Sequence, residues 1–196
     1  MNEKATFKSR VAEPLEAVVG KALLAVNYWI LDFEKADFLE EQPNASGISV
    51  VSLHFGVSNI ELAPGWEKPL RANGIHHHIQ AFHADGPGSV ESVSAKHLCK
   101  VAAVQVAPWN EVAGKLLTRV EVVGLGGSPQ AVCFSFSKTA LVVATGYSGS
   151  SLEVGDGDEL LVFSGQDWHH QIRNHKQLWE RLWMSSSATH DELLVK

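Results

Sequence analysis

Cysteine is scarce in this 196-residue chain, where Cys99 and Cys133 are the only two. Their spacing fits no zinc or thiol-redox motif, and two thiols are too few for the disulfide framework of a small secreted domain, so a reducing compartment is expected. Long apolar runs are missing as well. None approaches the roughly 20 residues that a helix needs to cross a bilayer. The segment Met1 to Arg10 is polar and charged and lacks the apolar core of a secretory leader. Basic residues are in deficit, with 16 Lys and Arg against 22 Asp and Glu, a net charge of -6. Nucleic-acid binding needs an excess of Lys and Arg to displace counterions, so no nucleic-acid partner is expected, and no membrane partner either. Together these absences describe a soluble, cytoplasmic protein.

The composition is otherwise that of an ordinary globular protein, 45% hydrophobic and 19% charged. The length suits one domain. A single domain is expected over residues 1–184, followed by a polar tail at 185–196. Carboxylates gather at Asp32 to Glu41 and at Glu153 to Glu159. Such runs are solvated rims, or an acidic face for a basic partner or a cation.

Hydrophobic periodicity gives the architecture. Leu15, Val18, Val19, Ala22 and Leu23 recur at helical spacing and predict a helix from about Pro14 to Ala25. Around Tyr28 to Phe33 the pattern turns to a strand. From Ile48 to Val57 the alternation is strict: Val51, Leu53, Phe55 and Val57 share one face, and Ser52, His54 and Gly56 the other. A turn is expected near Ser58-Asn59, a loop carrying Trp66 over Ala63 to Asn73, and a strand over Gly74 to Ala84 closed by Asp85-Gly86-Pro87-Gly88. Lys100 to Val106 reads as a strand. A hairpin follows, with alternating arms at Leu116 to Val123 and Val132 to Phe136 around the Gly124 to Pro129 turn. Ala140 to Thr145 is almost wholly apolar, as in a central strand covered on both sides, and Glu159 to Phe163 is the last strand. The end reads as a helix capped by Asp167 or Asn174, with Trp179 and Trp183 one turn apart. The expected fold is α+β: a strongly bent antiparallel sheet or open barrel of about eight strands, with an N-terminal and a C-terminal helix packed on it.

Four imidazoles stand in the run Ile75-His76-His77-His78-Ile79-Gln80-Ala81-Phe82-His83. On a strand, His76 and His78 share a face. Imidazole is a common ligand for zinc and other transition metals. His54, His76 and His78 are therefore the candidate metal ligands, provided the strand near Leu53 pairs with the strand near His77. His76-x-His78 resembles the opening His-x-His spacing of the cupin β-barrel family. The resemblance ends there, because residues 81 to 84 hold no Glu and no second cupin segment follows.

Other motifs are incomplete. Gly146-Tyr147-Ser148-Gly149-Ser150 lacks the last glycine and the following helix of a nucleophile elbow. Gly124-Leu125-Gly126-Gly127-Ser128 leads into a strand rather than a helix, so it fits a turn better than a phosphate loop. Cys133 has no cation readable nearby in sequence and is expected to be structural. Trp66, Trp168, His169 and His170 fit no core pattern and are the candidate binding residues.

Two functions follow. The first is a binding or interaction domain without catalytic activity, using acidic surface and loop aromatics to hold a protein or small molecule, with no cofactor. The alternative is a metal-dependent enzyme that carries zinc or another transition metal on the histidine strand. A homo-oligomer is compatible with either.

Overall fold

Alternating apolar and polar residues lay down strands that bury one face. The computed structural model of the chain pairs eleven of them antiparallel in one sheet. It describes residues 11–31, 48–67, 76–84, 90, 97–148, 152–155, 157–174 and 179–187. The strands are β1 (Ala25–Leu31), β2 (Ile48–Phe55), β3 (Ser58–Glu67), β4 (His76–His83), β5 (Leu98–Ala102), β6 (Arg119–Leu125), β7 (Ser128–Phe136), β8 (Thr139–Ser148), β9 (Leu152–Val154), β10 (Glu159–Ser164) and β11 (Trp179–Ser186). Two short helices, α1 (Glu13–Glu16) and α2 (Gly165–Asn174), and a 3-10 turn at Trp109–Glu111 complete the described elements.

Eight strands form a continuous path, β11-β6-β7-β8-β10-β2-β1-β5, while β3 pairs with β2 and β4, and β9 pairs with β8. The fork lies at β2. Its first residue, Ile48, pairs with Leu160 of β10, whereas Val51 to Phe55 pair with β3. From there β4 comes up against β7 and β8 without pairing to either. The sheet is thus curled into a half-barrel, and its inner face holds the main core. Tyr28, Leu53, Leu62, Ile79, Phe134 and Leu141 are among its buried residues.

Trp109 enters this core from the connection between β5 and β6. Its indole Nε1 donates to the Tyr28 hydroxyl at 2.5 Å, and both side chains are fully buried. Burial raises the pKa of the Tyr28 phenol well above its ordinary value, and the hydrogen bond from Trp109 opposes the shift. Residues on the other face of the sheet build a second core. Ala131, Val142, Ala144, Leu161 and Phe163 are covered there by Trp168 of α2. Trp168 meets Trp179 of β11 edge-to-face at 4.9 Å, and Phe163 at 5.9 Å. The apolar run in β8 follows from this arrangement, since Leu141 and Val143 face one core and Val142 and Ala144 the other.

The bent antiparallel sheet agrees with the periodicity, but the helices are shorter than expected. The N-terminal helix stops at Glu16. Residues 17–20 turn, and Gly20 at φ 81° takes a left-handed conformation that favours glycine and ends the element. Ala22 then pairs with Leu116 in an isolated bridge. The loop expected over Ala63 to Asn73 is strand as far as Glu67. Pro64 is tolerated because β3 has parted from β2 after Leu62, leaving an edge where no N–H is needed. The strand expected over Lys100 to Val106 is shifted to Leu98–Ala102.

At the C-terminal end, helix and strand replace one long helix. Ser164, not Asp167 or Asn174, caps α2. Its hydroxyl accepts from Asp167 N at 3.1 Å and donates to Asp167 Oδ2 at 2.6 Å, and Asn174 ends the helix. Trp179 and Trp183 lie on β11, where a bulge between Arg181 and Trp183 shifts their phase. Without it, two residues four apart would share a face; with it, Trp179 packs on the second core and Trp183 on the main one. β11 also takes up Ser185 and Ser186, and Ser187 N donates to Thr118 O, so the ladder runs past residue 184. The acidic run 32–41, the turn 85–88 and residues 188–196 lie outside the described residues.

Tyr28→Phe removes the acceptor of a buried indole N–H. It is expected to lower the free energy of unfolding by about 1–3 kcal/mol, measured by urea denaturation. An unchanged transition midpoint would mean that the Trp109–Tyr28 pair contributes nothing to the core.

Candidate functional site

The registers of β2, β3 and β4 decide which histidines meet. His54 pairs with Asn59 on β3, whereas His78 pairs with Gly65 and His76 with Glu67. Asn59 and Gly65 are six residues apart on one strand, about 20 Å at the usual rise per residue. The sheet therefore separates His54 from His76 and His78 rather than gathering them. The two imidazoles with described side chains also have other bonding. His54 Nε2 lies 2.8 Å from Asn27 Nδ2, and His78 Nε2 lies 2.8 Å from Gln80 Nε2. An amide N–H facing a ring nitrogen occupies the lone pair that a metal would take. Gly65 makes room for this, since a Cβ there would fall 2.3 Å from Gln80 Nε2. No group of three His, Cys, Asp or Glu residues with metal-binding geometry occurs among the described residues.

Away from the main core, β1, β2, β3 and β5 carry a polar ladder. Trp29 Nε1 donates to Ser52 Oγ at 2.8 Å, and Ser52 Oγ donates to Glu61 Oε1 at 3.2 Å. Val90 N, in the connection between β4 and β5, donates to Glu61 Oε2 at 2.6 Å. Lys100 Nζ stands 5.3 Å from the Trp29 ring centroid, a cation–π distance. Glu61 is only 2% exposed, and Ser52 is equally buried. A carboxylate buried this deeply must be hydrogen-bonded, and the ladder supplies those bonds. The serine hydroxyl donates to the carboxylate directly, and both side chains are closed off from solvent.

The expected binding aromatics are distributed differently. Trp168 belongs to the second core. Its helix neighbours His169 and His170 are exposed. Trp66 lies on β3 opposite His77 of β4. Ser148 ends β8, and β9 follows instead of the helix that a nucleophile elbow requires. The glycines at 126 and 127 form the β6–β7 turn.

Exposed apolar side chains gather elsewhere. Large ones among the described residues are Leu24 (59%), Val57 (95%), Leu116 (57%), Tyr147 and Met184. The first three share one end of the sheet. Leu24 precedes β1 and donates its N–H to His54 O, Val57 sits in the turn from β2 to β3, and Leu116 pairs with Ala22. Lys21 reaches Ser58 Oγ at the same end, which ties the segment before β1 to the β2–β3 turn. Periodicity had assigned Val57 to the apolar face of β2. Gly56 was the available signal against that, because a glycine at φ 77° just after Phe55 opens a two-residue turn.

Comparison with family models, curated proteins and solved structures finds no match for this chain.

Cys133 packs beside the second core, opposite Glu121 of β6. Burial first, and the Glu121 carboxylate next, push its thiol up to about 12 from an ordinary 9.0, against the opposing pull of Arg119. The folded thiol thus stays protonated where the unfolded one ionises. Its contribution to stability is complete below about pH 9 and is lost as pH rises towards about 12. Alkylation of folded Cys133 by iodoacetamide at pH 8 is expected to be about 100-fold slower than in the denatured chain, measured by peptide mass spectrometry. Equal rates would place the thiol in contact with solvent.

Proposed function

We propose that this chain is a binding domain without catalytic activity, and that it engages a partner protein through the end of the sheet formed by Leu24, Val57 and Leu116. The gathering of these three exposed side chains carries the reading. One exposed leucine needs no explanation, but several at one end of a small domain mark a contact surface. Each of them is more than half exposed, which favours a protein over a small molecule, since small-molecule sites are concave and bury their lining. The net charge of -6 favours a partner with basic surface. Two unpaired thiols suit a reducing compartment.

The metal-dependent alternative has less support. It would need His54 and His78 to give up their contacts with Asn27 and Gln80, and to reach one ion from opposite ends of β3. Among the described residues, the polar groups of the ladder are likewise engaged with one another rather than aimed at a substrate.

The triple substitution Leu24→Ser, Val57→Ser and Leu116→Ser tests the binding reading. Exposed positions tolerate such changes with little effect on folding. In size-exclusion fractionation of extract from the source cell, the native chain is expected to elute in an assembly and the variant as free monomer. That outcome corresponds to a loss of affinity of at least tenfold. Co-elution of the variant with the native chain would remove this surface from the account, and native elution as a free monomer would remove the binding reading itself.

A further inference from the structure

Met184 is one of two methionines in the chain, and it stands exposed on β11. Its partner across the ladder is Glu121 of β6. Arg181 serves both residues with one nitrogen: Nη1 lies 3.4 Å from Met184 Sδ and 3.3 Å from Glu121 Oε1. Glu121 has a second cation, with Arg119 Nη2 at 3.9 Å from Oε2. A guanidinium is therefore held between a thioether, which is a weak acceptor, and a carboxylate, which is a strong one.

We propose that Met184 is a reversible oxidation site whose sulfoxide is bound by Arg181 at the expense of Glu121. The oxidant is a peroxide. A sulfur lone pair attacks one peroxide oxygen, the O–O bond breaks and an S–O bond forms. The displaced hydroxide takes the proton from the transferred oxygen and leaves as water. The thioether is oxidised and the peroxide is reduced. The new oxygen carries partial negative charge beside the Nη1 that already faces the sulfur. It replaces a weak acceptor with a strong one and draws the guanidinium towards β11, while Glu121 keeps Arg119.

The position of Met184 makes this a surface change rather than damage. It belongs to neither core, so a polar oxygen there breaks no apolar packing. What changes is the face of β11: an apolar exposed spot becomes polar, and the ion pairs around Glu121 are redistributed. The inference is independent of the partner surface proposed above, because it concerns a different strand and different residues.

The test treats the folded chain with dilute hydrogen peroxide. Oxygen uptake is followed by peptide mass spectrometry, and the side-chain N–H resonances of Arg181 by NMR. One oxygen is expected on the peptide that holds Met184, added within about tenfold of the rate for free methionine, as befits an exposed thioether. The Arg181 resonance is expected to move as the oxygen is added, and methionine sulfoxide reductase should reverse both changes. With Met184→Leu, that peptide should take up no oxygen and the Arg181 resonance should stay still. The proposal is overturned if Met184 remains a thioether while the chain is folded. It is equally overturned if the sulfoxide forms and the Arg181 resonance does not move.

Discussion

Burial of β7, β8 and β10 on both faces is the constraint from which the rest of the structure follows. A strand wetted on one side alternates in sequence, and one that is dry on both sides does not. Val142 and Ala144 of β8 and Leu161 and Phe163 of β10 cannot face water together with their neighbours Leu141, Val143, Leu160 and Val162. The inner residues demand that the sheet curl until β4 comes up against β7 and β8. The outer ones demand a cover, which Trp168 of α2 and Trp179 of β11 provide. Each fully buried Leu, Val or Phe contributes about 1.5–3 kcal/mol, so these central strands hold a large share of the stabilising contacts.

The remaining elements read as consequences. Leu15 of α1, Val18 of the turn that follows it and Trp109 of the β5–β6 connection complete the inner core. The Trp109–Tyr28 hydrogen bond is how the core accommodates a buried indole N–H and a buried phenol. On the far side of β1, β2 and β3, Glu61 and Ser52 could have been costly buried groups. The ladder from Trp29 to Val90 turns them into a polar seam that holds the backbone of Val90 against the sheet. A seam whose groups satisfy one another suits a rigid scaffold. Among the described residues, large apolar side chains are left exposed at one end of the sheet and on β11.

Strands were legible where alternation was clean. β2, β6, β7 and β10 lie close to where the periodicity set them, and the two-sided burial of β8 was readable from its unbroken apolar run. What was lost depended on partners distant in sequence. Trp179 and Trp183 have helical spacing, yet pairing with β6 makes them a strand, and a bulge sends them to different cores. Leu15 to Leu23 look helical because a turn, a glycine and an extended segment happen to present apolar residues at similar intervals. Pro64 argued for a loop, and only the departure of β3 from β2 makes it acceptable.

The candidate site was less legible than the fold. Histidine spacing says which residues share a face of one strand, but cross-strand register says which of them meet. That register depends on the two-residue turn at Gly56-Val57, two residues earlier than the Ser58-Asn59 turn read from the phase change. Trp168 looked like a surface aromatic because its helix is polar, and its burial comes from Phe163 and Trp179. Exposure at Leu24, Val57 and Leu116 carries no mark in sequence beyond the glycine that precedes Val57.

Amide hydrogen exchange under native conditions tests the two-sided burial most directly. β8 and β10 are expected to exchange slowest, near the rate set by global unfolding, while β5 and β11 at the ends of the strand path exchange through cheaper local openings. Exchange of β8 and β10 as fast as that of β11 would contradict it, because strands dry on both faces cannot open without the whole domain.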